Sequence, residues 1–408
     1  MKTRLRAVGA VAAAMVMLAA CGGGTSSEAE SSAPEQTSAD TRIVVDSRGV
    51  EVEVPTEIKT VATVSDAFVE EIMYALDVDA EVTGLSGTCI VKEFSYDFVA
   101  LDGEPFEYTG GMNPANYLMP EMRDMPIFAQ DGQFNFETLA TIDPDVLIIH
   151  SGCCTVNWAE GDSGMEETLN KLDGLGIPTV VVHGPNYTGQ PNLEDMRAGI
   201  EVVGDVFGKK DEASDIATLI EDEINEVVAR TADIPEDEKT TVLIFGLNPN
   251  VRSEGNSGIA MGVQDVQSYM LTDFVNATNV FTTDITSSPL NAEQVLASDP
   301  DAIILPTHNG YHPPRELLDT DYFTNLSSMR AIQEERVAAL PWSPCNCDQR
   351  LEMPVNVMVM AKTAYPELFE DIDLEQWMLD YFMELYGVDE ETADGIISAL
   401  WMDWARTQ

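Results

Sequence analysis

Thiols and imidazoles are scarce in this chain, and they are gathered in one kind of place. Of six cysteines, all but Cys21 (Cys89, Cys153, Cys154, Cys345 and Cys347) follow runs that read as β-strands. So do His150, His308 and His312, three of the four histidines. Arg252 and Arg350 stand at equivalent positions. Open α/β sheets take their ligands outside the carboxyl ends of parallel strands, so this placement marks a candidate binding edge. Thiolate and imidazole are transition-metal ligands, which makes His150, Cys153 and His308 candidate metal ligands. Cys153, Cys154, His308, Cys345 and Cys347 are candidate contacts to a bound molecule. A second chemistry stays open for the same thiols in an exported chain: a disulfide from Cys89 to Cys153 or Cys154, or from Cys345 to Cys347. Arg252 and Arg350 can each grip a carboxylate with two parallel charge-assisted bonds; a surface or intralobe salt bridge is the plain alternative. Trp342 and Tyr117 can stack on a flat ligand, or simply pack in core and loop. HExxH, CxxC, GxSxG and P-loop patterns are all missing from the chain, which speaks against an enzyme.

The elements that must position these groups show themselves through a repeat. Asn135-Phe-Glu137 leads through an apolar turn to Asp143-Pro-Asp145 and the run Val146–Ile149. Asn291-Ala-Glu293 leads to Asp299-Pro-Asp301 and Ala302–Leu305 at a constant offset of 156 positions. Each copy reads as an Asn-capped helix with Glu at its second position, where the helix dipole favours an anion. Asp-Pro then stops the helix, and a buried strand follows. One helix–strand unit used twice predicts an α/β protein of two similar lobes, each a mainly parallel sheet flanked by helices. The periodic stretch from Asp211 to about Arg230, with Ala217, Ile220, Ile224 and Val228 at core spacing, predicts one long rigid helix joining them. The expected divisions are an N-terminal lobe over 43–209, the connecting helix over 210–232 and a C-terminal lobe over 233–408. Residues 89–126, rich in Tyr, Phe and Met, read as an elaborated loop of functional rather than disordered character.

The beginning of the chain is of another kind. Lys2, Arg4 and Arg6 precede the apolar run Ala7–Ala20, and Leu18-Ala-Ala-Cys21 has the lipobox pattern of bacterial lipoproteins. A signal peptide over 1–20 is expected, with Cys21 the lipid-bearing (palmitate-carrying) residue and 21–42 a disordered tether spanning roughly 25 Å. The expected location is the cell membrane, anchored by lipid on the extracytoplasmic face. The formal charge is −50, and loss of three basic leader residues takes it to −53. A surface so acidic repels phosphate backbones, and no nucleic-acid partner is expected.

Beyond residue 42 the chain resembles the helical-backbone substrate-binding proteins of ABC importers, which carry ferric siderophores, haem and cobalamin. The resemblance rests on the hairpin Asp46–Pro55 (DSRGVEVEVP), the two Asn-x-Glu…Asp-Pro-Asp units, the connecting helix, and the stretch Ala364–Asp373. It implies a rigid two-lobed carrier with its ligand in the cleft, and an ABC permease and ATPase as partners. By its motif, Glu137 and Glu293 would pair with permease arginines; a dipole-complementing helix start is the plain alternative. The expected function is capture of an iron chelate of the ferric siderophore class by a monomer without a permanent cofactor. Alternatives are a haem, corrinoid or bare metal-ion carrier and, more remotely, a secreted Cys/His metal or thiol enzyme. The aromatic loop and the cysteines depart from the family pattern.

Overall fold

The computed structural model describes residues 40–407 except 79, 88–89, 131, 154, 186, 188–191, 308–312 and 344–349. The leader, Cys21 and the tether, together with Cys89, Cys154, His308, His312, Cys345 and Cys347, lie outside the described residues.

The first half runs β1 (Thr41–Val45), β2 (Glu51–Pro55), β3 (Thr60–Val64), α1 (Phe68–Ala75), β4 (Glu81–Ser86), β5 (Phe94–Val99), β6 (Pro105–Gly111), α2 (Pro114–Leu118), β7 (Ile127–Gln130), β8 (Gln133–Phe134), α3 (Phe136–Ile142), β9 (Val146–Ser151), α4 (Ser163–Leu175), β10 (Thr179–His183) and α5 (Leu193–Val206). Helix α6 (Lys210–Thr231) follows. The second half runs β11 (Thr241–Gly246), α7 (Pro249–Ser253), β12 (Gly258–Met261), α8 (Val266–Tyr269), β13 (Thr278–Asn279), β14 (Ser287–Leu290), α9 (Ala292–Ser298), β15 (Ala302–Leu305), α10 (Pro314–Leu318), α11 (Arg330–Gln333), β16 (Val337–Ala339), α12 (Met353–Ala364), α13 (Leu374–Tyr386) and α14 (Glu390–Ala399).

Two large sheets result. The first has the order β10-β9-β3-β4-β7-β8 and is parallel up to its last pair. The second has the order β14-β12-β11-β15-β16, with β13 beside β11; β11, β15 and β16 are parallel, while β12 and β14 run antiparallel. Central strands are apolar on both faces because helices cover both: Val146, Leu147, Ile148 and Ile149 of β9 are fully buried, as parallel sheets require. Helix α6, about 33 Å long at 1.5 Å per residue, turns Ala213, Ala217, Ile220, Ile224 and Val227 inward.

The repeat is a structural one. The side chains of Asn135 and Asn291 cap α3 and α9 by accepting from the backbone N–H of Thr138 and Gln294, each at 3.0 Å. Asp143 and Asp299 leave those helices at positive φ, 48° and 29°. The last Asp of each Asp-Pro-Asp then ties its strand to the neighbouring one. Asp145 Oδ2 accepts from Thr60 N at 3.0 Å, and Asp301 Oδ2 from Thr241 N at 2.9 Å. Thr60 Oγ1 and Thr241 Oγ1 in return accept from Asp145 N and Asp301 N, both at 3.1 Å. Three bonds, each made once in either copy, explain why these residue types recur.

The stretch read as a loop after residue 89 is largely an antiparallel hairpin, β5–β6. It belongs to the first half of the chain but packs on segments of the second. Leu101 N donates to Asp319 O (2.9 Å), Met112 N to Ala399 O (3.0 Å), and Trp401 Nε1 to Thr109 O (3.0 Å). Its aromatic rings complete the contact: Phe94 lies 4.7 Å from Trp342, Tyr108 lies 5.6 Å from Trp401, and Arg315 sits 3.7 Å over Phe106.

Candidate functional site at the strand mouth

Three neighbouring segments of the first sheet bring their chemistry to one buried point. Strand β3 ends at Val64, and the chain turns sharply through Ser65, Asp66 and Ala67. Ala67 takes φ 95°, a left-handed conformation costly for a residue with a Cβ. That turn sets Asp66 inward and starts α1, whose first turn is capped from upstream by Ser65 Oγ accepting from Val69 N at 3.2 Å. His150 comes from the end of β9 and Cys153 from the turn after it. His150 Nδ1 lies 3.2 Å from Asp66 Oδ1, and both side chains are about 98% or more buried. The imidazole stacks on Phe68 at 4.6 Å. Its Nε2 reaches the backbone of Gly184, where a Cβ would stand 2.8 Å from that nitrogen, so only glycine leaves the ring its room. Ligand atoms of Asp66, His150 and Cys153 all lie within 4.8 Å of one another. Tetrahedral coordination at about 2.0–2.3 Å puts donor atoms roughly 3.3–3.8 Å apart, so a small contraction would close this set on one ion.

The charge is held in place by the second half of the chain. Arg350, 2% exposed, points an Nη1 donor at the carbonyl oxygen of Asp66 (3.4 Å) and places Nη2 2.8 Å from Glu352 Oε1. Glu71 of α1 faces the same pair. Burial raises the Asp66 carboxyl, but the His150 hydrogen bond, its charge and the charge of Arg350 outweigh that, and the net shift is downward. Glu71 goes the other way: burial and the adjacent Glu352 push it well above the usual carboxylate range, with Arg350 opposing. Burial and the Asp66 charge likewise hold the Cys153 thiol protonated far above its ordinary range. A metal taking all three donors must therefore displace the thiol proton.

Residues 62–344 match the family model described as periplasmic binding protein. The chain belongs to that family. It is a substrate-binding protein of an ABC transporter rather than an enzyme; its homologues work with a permease and ATPase and bind small-molecule ligands. The molybdate-binding protein MolA of Haemophilus influenzae is 22% identical over 289 residues, 66% of this chain and 74% of MolA. Among solved structures, a periplasmic solute binding protein from Veillonella parvula superposes with TM-score 0.65 at 21% identity, over 89% of this chain and 99% of the other. Molybdate-bound MolA superposes with TM-score 0.59 at 20% identity, over 85% of this chain and 98% of MolA. At such identities these structures establish the fold.

Of the residues singled out from sequence, the structure brings His150, Cys153 and Arg350 together. Cys153 carries a free thiol, so the Cys89–Cys153 pairing is not formed. Arg252 is engaged elsewhere: Nη1 lies 3.0 Å from the fully buried Glu316, Nη2 donates to Tyr96 Oη at 3.0 Å, and Tyr96 donates to Glu316 at 2.7 Å. Trp342, 2% exposed, packs between Phe94 and Trp401. Tyr117 on α2 lies against α14, its hydroxyl over the bare Cα of Gly395. Glu137 and Glu293 are exposed at the second positions of α3 and α9. Sequence reasoning missed Asp66, Glu71 and Glu352. Asp66 stands at a strand mouth just as His150 does, which is the signal that could have found it.

Proposed function

We propose that this chain is the lipid-anchored, extracytoplasmic receptor of an importer whose cargo is a transition metal with open coordination positions, either as a free ion or as a small complex. One observation carries the reading: Asp66, His150 and Cys153 present oxygen, nitrogen and sulfur donors within 4.8 Å at the strand mouth. Mixed N/O/S donors suit borderline metals. A ferric siderophore whose oxygens already fill the iron would gain nothing from a thiol, so the iron-chelate form of the proposal is one with free positions on the iron. Charge argues against an oxyanion such as the molybdate of MolA. Among the described residues at this point, the guanidinium of Arg350 already faces Glu352, and Asp66 adds a further carboxylate. Anchoring through Cys21, a monomeric carrier, and docking on the permease through Glu137 and Glu293 complete the proposal.

Titration of the purified chain with Ni(II), Zn(II), a tetradentate ferric chelate, haem and molybdate, followed by tryptophan fluorescence and elemental analysis, tests it. Binding of a metal ion or open chelate that weakens by about a hundredfold or more in His150→Ala or Cys153→Ser, at least the upper end of what losing an outer-shell partner costs, is the expected result. Tight molybdate binding, or metal binding indifferent to both substitutions, would sink it.

A further inference from the structure

The three donors at the strand mouth are enclosed as well as close together. Asp66 and His150 are each 2% exposed, and Cys153 is wholly buried. Their cover comes from several elements. The ring of Phe68 lies against the imidazole. Gly184, just past β10, closes on His150 and Cys153: a Cβ there would stand 2.8 Å from His150 Nε2 and 3.2 Å from Cys153 N. From the second half of the chain, Arg350 reaches the carbonyl oxygen of Asp66. Thr155 Oγ1 donates to Ser65 O at 3.3 Å and Ser65 N to Ser86 Oγ at 3.0 Å, which seals the turn before Asp66. A chelate or a porphyrin could reach these donors only by parting the elements that cover them. One ion fits, because the ligand atoms lie within 4.8 Å of one another.

The charge of the enclosure limits the ion as its size does. Asp66 brings one negative charge, and the lowered pKa of its carboxyl keeps it there. Cys153 brings a second once the metal displaces its proton, which leaves to solvent, and neutral imidazole brings none. Among the described residues around them, Arg350 is balanced by Glu352 at 2.8 Å. Burial pushes Glu70 and Glu71 toward their protonated, uncharged forms. A divalent ion therefore makes the buried set neutral. A trivalent ion would leave a net positive charge and a monovalent one a net negative charge, and a buried charge without a partner is costly. We propose that this receptor takes its cargo as a bare divalent cation and turns away chelated metal and trivalent ions, an inference that rests on the strand-mouth reading of the cargo.

Equilibrium dialysis of the purified chain tests it, with bare Ni(II), with Ni(II) carrying radiolabelled nitrilotriacetate, and with Ga(III) in acetate buffer as a redox-inert trivalent probe. Each is run beside His150→Ala and beside Cys153→Ser, which nearly keeps the shape of the thiol should the alanine variant misfold. The wild-type chain is expected to hold one equivalent of bare Ni(II) that both variants lose. Nitrilotriacetate should not be retained with the protein, and Ga(III) should bind at this position about a hundredfold or more weakly than Ni(II). Chelate retained together with its metal in a manner that depends on His150 and Cys153, or Ga(III) held there as tightly as Ni(II), would overturn this inference and leave the strand-mouth reading standing. Absence of any metal binding that depends on these two residues would remove both.

Discussion

Two buried carboxyls, Glu71 and Glu352, share the field of one guanidinium, Arg350. Around Glu71 stand Asp66 from the strand mouth, Glu352 and Arg350 from the segment before α12, and the phenols of Tyr381 and Tyr386 from α13, both pushed upward first by burial. Because the folded-state pKa of Glu71 is raised above the ordinary 4.5, the native state holds that proton more tightly than the unfolded chain. Its contribution to stability is therefore fully present below about pH 4.5 and is lost as pH rises through the folded value. Asp66 has the opposite sign: its lowered pKa contributes stability above its ordinary 3.8, which is lost in stronger acid. Glu71→Gln, which mimics the protonated form, should raise the melting temperature at pH 8 by roughly 2 °C or more for each kcal/mol gained, and should do little at pH 4.5. Scanning calorimetry at the two pH values decides, and an equal effect at both would show that Glu71 does not titrate in this range. Only part of this cluster was legible: His150 and Arg350 were read at one binding edge, whereas Asp66, Glu71 and Glu352 join them only when the fold closes.

At the scale of elements, the β5–β6 hairpin is the clearest departure from expectation. Its alternation was there to be read, since Phe94, Tyr96 and Phe98 recur every second residue. A register irregularity between Phe94 and Tyr96 and the glycines near its end blurred the period, and no rule of sequence said that it would pack on segments of the other half. Its polar fastening is Tyr96–Glu316–Arg252, in which Glu316 is fully buried and Arg252 is 17% exposed. Removing a cation from a buried carboxylate leaves an uncompensated charge costing about 3–5 kcal/mol. Arg252→Met should therefore destabilise the protein by about that amount, whereas Tyr96→Phe, which leaves the ion pair intact, should cost about 1–2 kcal/mol. Amide exchange should quicken first in residues 94–111. Equal losses in the two variants, or exchange unchanged in the hairpin, would contradict this fastening. The same ion pair explains why Arg252, chosen from sequence as a ligand contact, stands in the strap instead.

The whole molecule is the level at which the sequence was most readable, because duplication writes the same physics twice. The Asn cap and the Asp-Pro-Asp stop recur at an offset of 156; both caps recur as bonds in the structure, and the last Asp of each copy ties to a threonine, Thr60 or Thr241, that lies outside the repeat. What the duplication leaves unexplained inside the protein is Glu137 and Glu293. Both are exposed at matching helix starts, where an anion is worth only about 0.3–1 kcal/mol to its helix. Two equivalent negative charges on two similar lobes are what a permease with two-fold symmetry and basic sockets would engage. In cells dependent on this importer, the double variant Glu137→Ala, Glu293→Ala should stay in the membrane fraction, keep its ligand affinity and lose uptake by about tenfold or more, as interfacial charge pairs worth about 2 kcal/mol or more would require. Each single variant should fall between. Cys21→Ser separates anchoring from docking, since it should release the protein from the membrane fraction while a reconstituted, soluble-receptor assay retains transport. Full uptake by the double variant would reduce both glutamates to helix starts and nothing more.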